Sequence, residues 1–183
     1  METKKITFPE EAYRLKELKA GDTAELSGII YTARDAAHKK ICEMLKTGDS
    51  LGFELKGSII YYCGPCPEKP GKVIGSCGPT TSSRMDKYAP TLLNLGLAAM
   101  IGKGKRSNEV KNAIINNKAV YFGAIGGAGA LIADCAEKKE LVAFPELGCE
   151  AVYRLKVKDM PLVVLTDSQG NDLYEIRNTN ERQ

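Results

Sequence analysis

The sequence predicts an α/β fold with a central parallel sheet and a second sheet formed by the two ends of the chain. Two observations carry this prediction. Strand and helix patterns alternate through the middle of the chain, which is typical of βαβ units and therefore of a parallel sheet. Both ends are rich in strand patterns and poor in helix patterns. Because the chain has 183 residues, we expect one domain spanning residues 1–183.

The first elements follow from residue type and spacing. A charged stretch near the N-terminus allows a short helix. Residues 23–32 are rich in β-branched side chains, which favour a strand. Apolar positions in Asp35–Lys46 follow the helical period, and Gly48 ends that helix. Arg34 and Asp35 therefore lie at a strand-to-helix junction.

The later elements continue the alternation and then change to strands. Thr80–Ser83 offers N-caps for a helix that runs through Asn94, and Ser107 caps the next helix. Short apolar runs between turn residues predict the strands 58–62, 73–76, 97–101, 119–124, 141–144, 151–157, 161–166 and 172–176. The remaining predicted helices are 107–116 and 130–138.

Charge and hydropathy exclude several classes of partner. The chain carries 26 basic and 23 acidic residues, a net charge of +3, which is too small an excess to argue for binding to nucleic acid or a membrane surface. No apolar run approaches the roughly 20 residues of a membrane span, and the first residues lack an apolar signal core. We therefore expect a cytoplasmic protein that binds neither nucleic acid nor membrane.

Three cations stand where a parallel sheet gathers its ligands. Arg34 and Lys103 follow predicted strands, and Arg84 lies in the first turn of a predicted helix. Ligands collect at the carboxyl ends of parallel strands, where helix N-termini also offer N–H donors to an anion. A positive charge in a first helical turn opposes the helix dipole. Anion binding would explain Arg84, and so would an ion pair with Asp86.

His38 is the only histidine in the chain. It stands three residues after Asp35, so a helix would place the two side chains on neighbouring faces. A carboxylate–imidazole pair suits proton transfer or orientation. The alternative is a surface or helix-capping histidine without a catalytic role.

The segment Cys63-Gly-Pro-Cys66 has the letters of a thioredoxin-type redox motif. Pro67 and Pro70 follow it, and a long helix cannot easily start there. No second pair of cysteines or histidines completes a zinc site, although Cys77 is a candidate third sulfur. In a cytoplasmic protein, the six cysteines are expected mainly as buried free thiols.

A glycine-rich segment, Gly123–Gly129, lies between a predicted strand and a predicted helix, as a dinucleotide-binding loop would. Glu146 follows at about the distance that such a motif expects. The pattern fails at its last position, where Ile132 stands in place of glycine, and too little chain remains for a complete doubly wound sheet. A tight strand-to-helix turn is the favoured interpretation.

Taken together, the segments resemble a known family. Thr32–His38, Gly78–Asp86 and Ile101–Gly104 occur in this order and look like the signature blocks of the β subunits of class I fumarases and L-tartrate dehydratases. The likeness extends to 126–129 and 166–172, so it covers most of the chain. The Gly-Pro-Thr-Thr-x-x-Arg-Met-Asp block is its most specific part.

The resemblance implies a fold, a reaction and a partner. The fold would be a swivelling β/β/α three-layer domain, with a central parallel sheet between a layer of helices and a second, mostly antiparallel sheet. The reaction would be the reversible hydration of fumarate to L-malate. A 4Fe–4S cluster would be held by the partner α subunit and not by this chain, so we expect a hetero-oligomer.

The resemblance also implies the site residues. Those matched to contacts with the C4 dicarboxylate are Arg34, Thr80, Arg84 and Lys103. Asp35 and His38 match a block near the site, and with Thr80 they are the expected catalytic residues. Two alternatives stay open: an L-tartrate dehydratase β subunit, or a non-catalytic swivelling module that binds a carboxylate or a partner protein. The residues that favour fumarase are Asp86 and Gly126–Gly129.

Overall fold

The fold is a mixed α/β structure, seen in a computed structural model that describes residues 2–124 and 129–180. Seven strands within these residues form one sheet. The strands are β1 (Lys4–Phe8), β2 (Thr23–Thr32), β3 (Ile59–Tyr61), β4 (Ala99–Gly102), β5 (Val120–Ala124), β6 (Ala136–Ala143) and β7 (Val152–Thr166). The α/β class predicted from the sequence is confirmed.

Helices connect the strands. The α-helices in the described residues are α1 (Asp35–Thr47), α2 (Ala89–Asn94), α3 (Asn108–Asn117), α4 (Gly129–Asp134) and α5 (Leu173–Asn180), and the 3-10 helices are Ala12–Glu17, Ser82–Met85 and Pro145–Glu150. As predicted, α1 ends at Gly48, whose φ of 79° is left-handed. Ser107 caps α3 as predicted, since its Oγ accepts a hydrogen bond from the Val110 N–H. Each helix in this part of the chain is too short or too polar to cross a membrane.

The strands β1 to β5 run parallel, and β7 runs antiparallel to its neighbours. The order is β1-β2-β3-β4-β5-β7-β6, and β2 also pairs with β7. This additional pairing closes β2, β3, β4, β5 and β7 into a ring, so part of the sheet forms a barrel. Strand β7 can close the ring because both of its edges are paired. One edge pairs with β2, and the other edge pairs first with β6 and then with β5.

The second sheet predicted from the sequence is not a separate sheet in the described residues. The sequence predicts two strands, 151–157 and 161–166, whereas β7 continues through the stretch between them. Asp159 takes a φ of 49°, and its N–H donates to the Ser27 Oγ at 2.9 Å, so the break is a bulge inside a strand. The three-layer swivelling arrangement is likewise not confirmed.

Three smaller differences have local causes. The predicted strand 73–76 pairs with Cys66 instead of the sheet, through hydrogen bonds of 2.9 and 3.1 Å. The predicted strand 172–176 is helix α5, because the Asp172 carboxylate accepts from the Tyr174 N–H at 2.8 Å and caps the helix. The predicted helix 80–94 breaks into two pieces, and Pro90 lies in the first turn of α2. Strand β1 was not predicted.

Two apolar cores lie on opposite faces of the parallel strands. Tyr61, Ile101 and Phe122 face the first core, whereas Tyr62 and Tyr121 face a second core that contains residues of α1, α2 and α3. Burial on both faces is typical of parallel strands. Such strands leave their carboxyl ends as the place where polar side chains can collect.

Candidate active site

The predicted cations lie at the carboxyl edge of the parallel strands. Arg34 follows β2, and Lys103 follows β4 directly. Thr80 is tied to the end of β3, because its N–H donates to the Tyr62 carbonyl at 2.7 Å. Thr81 forms a bridge to Lys103. Since β3 separates β2 from β4, the strands that precede Arg34 and Lys103 are about 10 Å apart, two strand spacings.

Asp35 joins two of these cations. Its carboxylate accepts two hydrogen bonds from Arg84, at 2.8 Å from Nε and 2.7 Å from Nη2. It also lies 3.3 Å from the Arg34 Nε. We call Arg34, Asp35 and Arg84 the arginine cluster. Arg84 therefore pairs with Asp35, and not with Asp86 as one interpretation of the sequence had it.

The arginine cluster keeps room for an anion. The fork to Asp35 occupies only part of the N–H donors of a guanidinium. The Arg84 side chain is 49% exposed, so a small anion in solvent can reach it. Partial burial of Asp35 favours its protonated form, but its own backbone N–H and the guanidinium of Arg84 outweigh this and lower the pKa of the carboxyl. Asp35 is thus an anion at neutral pH.

Helix α1 begins at this cluster with help from a distant residue. Arg34 is the N-cap position of α1, yet its side chain makes no capping bond. Glu150 supplies the cap, since its Oε2 accepts from the Ala36 N–H at 2.9 Å. Its Oε1 lies 3.5 Å from the Arg34 Nη2. Glu150 therefore fixes both the helix start and Arg34, a role that no local sequence pattern signals.

His38 lies beneath the arginine cluster. Its side chain is fully buried, and its Nδ1 is 3.0 Å from the Arg34 carbonyl. Because a carbonyl only accepts, Nδ1 carries the proton, and Nε2 is a buried acceptor without a hydrogen-bond partner in the described residues. Burial lowers the pKa of His38 to about 4. The imidazole is therefore neutral at pH 7, and its hydrogen bond goes to the Arg34 backbone and not to Asp35.

Arg106 is a functional candidate that sequence reasoning missed. Its side chain has no exposed area, and its guanidinium lies over the rings of Tyr62 and Tyr121, at 5.2 and 4.9 Å from their centroids. Its Nε donates to Asp86 at 2.7 Å, and the second Asp86 oxygen accepts from the Ser107 N–H at 2.7 Å. This pair joins the segment that carries Arg84 to the turn that follows Lys103.

Ser82 fastens the same two segments at a second point. Its N–H donates to the Lys103 carbonyl at 3.1 Å, and its Oγ accepts from the Lys103 N–H at 3.0 Å. A side chain at Gly102 would overlap the Ser82 hydroxyl. A Cβ at Gly64 would lie 3.0 Å from the Arg34 Cδ. The absence of a side chain at Gly102 therefore leaves space for Ser82, and its absence at Gly64 leaves space for Arg34.

Lys103 takes no part in the hydrogen bonds of the arginine cluster within the described residues. It is exposed, and together with Arg177 it lines a cavity of about 270 Å³ next to the end of β5. The glycine-rich residues Gly126–Ala128, which come next in the chain, are outside the described residues. The structure thus brings Arg34, Asp35 and Arg84 into contact and leaves Lys103 one segment away.

The cysteines do not gather around a metal. Within the described residues, no three His, Cys, Asp or Glu side chains are placed to hold an ion. Cys63 and Cys66 differ in environment, because Cys63 is buried and Cys66 is exposed. The Sγ atom of Cys63 lies 3.1 Å from the Sγ atom of Cys77. These residues therefore do not fit a cluster site on this part of the chain.

Comparison with known proteins gives consistent matches. The family model described as the fumarase C-terminus matches residues 2–177. The chain is 40% identical to fumarate hydratase 2 of Leishmania major over 163 residues, which cover 88% of this chain and 29% of that protein. It is 38% identical to the anaerobic class I fumarate hydratase of Escherichia coli over 164 residues, 88% of this chain and 30% of that one.

A third relative has nearly the same length as this chain. The putative L(+)-tartrate dehydratase subunit beta of Methanocaldococcus jannaschii is 44% identical over 167 residues, which cover 88% of this chain and 86% of the relative. The chain therefore spans less than a third of the fumarate hydratases that it matches, and most of this subunit.

Proposed function

Because this chain belongs to the fumarase C-terminus family, we propose that it is the β subunit of a hydro-lyase that reversibly hydrates fumarate to L-malate. In this proposal the chain binds the C4 dicarboxylate with Arg34, Thr80, Arg84 and Lys103. The arginine cluster at the carboxyl edge of the parallel strands is the observation that supports the proposal most.

The spacing of the cations suits a small dicarboxylate. Such a substrate carries a negative charge at each end. The arginine cluster and Lys103 stand on strands about 10 Å apart, and their side chains can reach inward from both sides. An arginine offers a planar fork that pairs with a carboxylate through two bonds, whereas a lysine offers a compact charge. One carboxylate at the cluster and the other near Lys103 is the arrangement that we propose.

The same cations would help the reaction itself. Dehydration of malate removes a proton from the carbon next to a carboxylate, and negative charge then builds on that carboxylate. Cations already held in place stabilise this developing charge more than they stabilise the ground state. Asp35 holds the Arg84 fork at 2.7–2.8 Å, so this guanidinium needs little reorganisation when the charge appears.

Among the expected catalytic residues, Asp35 and His38 have positions that suit orientation. An ionised Asp35 fixes both arginines, and we propose that this is its main contribution. A neutral His38 fixes the Arg34 carbonyl from below. Thr80 carries a hydroxyl that can donate a hydrogen bond to the substrate or accept one from it.

We propose that the iron–sulfur cluster lies on a partner α subunit. The match of this chain to one terminal part of much longer fumarate hydratases supports a second polypeptide, as does the word subunit in the name of the tartrate dehydratase relative. Residues 1–183 would form one swivelling domain against that partner.

The second candidate is an L-tartrate dehydratase β subunit. It is favoured by the relative with 44% identity that this chain covers along 86% of its length. Tartrate is also a C4 dicarboxylate, so the arginine cluster would serve both substrates. The preference for one substrate over the other must then come from the groups that contact the hydroxyls of tartrate or malate.

The experiment is a substrate comparison with the assembled enzyme. The chain would be produced together with its α partner and purified without oxygen, and kcat/KM would be measured for fumarate, L-malate and L-tartrate. We expect fumarate and L-malate to be preferred. A preference for L-tartrate would favour the second candidate. No turnover by a cluster-loaded complex would favour the non-catalytic binding module.

A further inference from the structure

Two buried cysteines outside the arginine cluster face each other. Cys63 and Cys77 are each 1% exposed, and their Sγ atoms are 3.1 Å apart although they are 14 residues apart in sequence. A disulfide requires about 2.05 Å between sulfurs. The two atoms therefore need to approach by only about 1 Å, a distance that small side-chain rotations can supply.

The local backbone holds both cysteines in place. The Cys63 N–H donates to the Tyr61 carbonyl at 2.9 Å, and the Cys77 N–H donates to the Gly129 carbonyl at 3.0 Å. The Tyr61 hydroxyl donates to the Cys77 carbonyl. These bonds fix the two segments relative to each other, so the sulfurs stay together without a covalent link.

The pair differs from the one that the sequence motif suggests. In Cys63-Gly-Pro-Cys66, the second cysteine is exposed and lines a surface cavity that also contains Cys149. Cys63 instead meets Cys77, which belongs to the segment that leads into Thr80. Gly64, next to Cys63, packs against the Arg34 side chain. The pair thus lies between the two loops that bring Thr80 and Arg34 to the carboxyl edge.

We propose that Cys63 and Cys77 form a reversible disulfide on reaction with a peroxide. With hydrogen peroxide, the two thiols give up two protons and two electrons, one S–S bond forms, the O–O bond breaks, and two water molecules leave. The disulfide would act as a staple that holds the Thr80 loop against the loop beside Arg34. This inference does not depend on the hydration activity.

The surroundings set the reactivity of the pair. Burial raises the pKa of the Cys63 thiol, and the thiolate is the reactive form. Oxidation is therefore slow at neutral pH and faster at higher pH. The exposed thiols of Cys66 and Cys149 react with an alkylating reagent before the buried pair does.

The test maps the bond in the native full chain. The protein is treated with hydrogen peroxide, unfolded, alkylated and digested after Lys and Arg, which gives peptides 57–72 and 73–84. Peptide 57–72 contains both Cys63 and Cys66, so the Cys66→Ser variant is oxidised in parallel. We expect 57–72 linked to 73–84 in both proteins, reversed by dithiothreitol, and a Tm raised by roughly 6–12 °C, since the bond closes a loop of roughly 15 residues.

The controls make each result decisive. Cys63→Ser removes the link and the rise in Tm, whereas Cys42→Ser, at a half-buried position on α1, leaves both unchanged. The proposal is wrong if all thiols of the oxidised wild type are alkylated, if the bond joins Cys63 to Cys66 or Cys66 to Cys149, or if the link forms and Tm does not rise.

Discussion

Replacing Arg84 by lysine separates the charge of this residue from the geometry of its guanidinium. The wild-type side chain bonds both oxygens of Asp35, at 2.8 and 2.7 Å, and is 49% exposed. A lysine ammonium at this position can reach one oxygen of Asp35 or an anion, but it cannot hold both in a planar arrangement. Arg84→Lys thus keeps the positive charge and loses the fork.

The expected cost is kinetic. Losing one charged hydrogen bond to the substrate costs about 1.5–3 kcal/mol, and loss of the orientation by Asp35 adds to it, so we expect a total of roughly 2–4 kcal/mol in the transition state. That corresponds to a fall of about 30- to 1000-fold in kcat/KM. The fold itself should lose less than about 1 kcal/mol, because the ion pair is half-exposed and solvent screens it.

The assay is steady-state hydration of fumarate by the assembled enzyme, with thermal melts of each variant. Arg154→Lys is the matched control, since Arg154 also forms a partly exposed ion pair, at 3.3 Å from Glu140, on a strand away from the arginine cluster. Lys19→Ala is a second, exposed control. Both should retain kcat/KM within about two-fold. If Arg84→Lys also retains kcat/KM within this range, Arg84 is a surface ion-pair residue and the proposal that it binds the substrate is wrong.

Three further predictions follow from the buried groups and the glycine-rich segment. The pKa of His38 falls from 6.5 to about 4 on folding, so the unfolded chain binds more protons between these pH values and stability decreases as pH falls through this window. From pH 7 to pH 4, the free energy of unfolding measured in urea should fall by about 3 kcal/mol more in wild type than in His38→Asn. Equal losses would contradict the buried neutral imidazole. Arg106→Met leaves Asp86 without its guanidinium partner and should lower the free energy of unfolding in the same assay by about 3–5 kcal/mol, against less than about 1 kcal/mol for Arg154→Met. A small loss for Arg106→Met would mean that the pair does not hold the segment of Arg84 against the turn after Lys103. Millimolar NAD should not raise Tm, and a saturable rise would support the dinucleotide interpretation.

The sequence predicts the parts of the site that depend on neighbours in the chain. The β2–α1 junction at Arg34 and Asp35 follows from a change in hydrophobic period, and α1 begins where that change occurs. The alternation of strands and helices predicts parallel strands, whose carboxyl ends meet at one edge. These two inferences are enough to expect Arg34 and Lys103 on the same edge of the sheet.

Partners that are distant in sequence could not be predicted in this way. Asp86 pairs with Arg106, and Glu150 caps a helix that begins more than a hundred residues earlier. Their side chains meet because the segments after β3 and β4 and the turn before β7 converge, which is a property of tertiary packing. The local sequence offers only the competing pair of Arg84 and Asp86, two residues apart.

The continuity of β7 has the same origin. A proline at 161 and a charged stretch before it suggest a turn between two strands. In the fold, Asp159 absorbs the irregularity as a bulge with φ of 49°, because the Ser27 hydroxyl on β2 accepts its N–H. A bond supplied by another strand thus converts two predicted strands into one and joins the predicted second sheet to the first.

The most direct test of the central claim compares this chain alone, its α partner alone and the two together. Each sample is reconstituted without oxygen with iron and sulfide, and malate formation from fumarate is measured at steady state. We expect turnover only when both chains are present, because in our proposal the dicarboxylate-binding cations and the cluster lie on different polypeptides. Robust turnover by this chain alone, or none by the cluster-loaded pair, would contradict it.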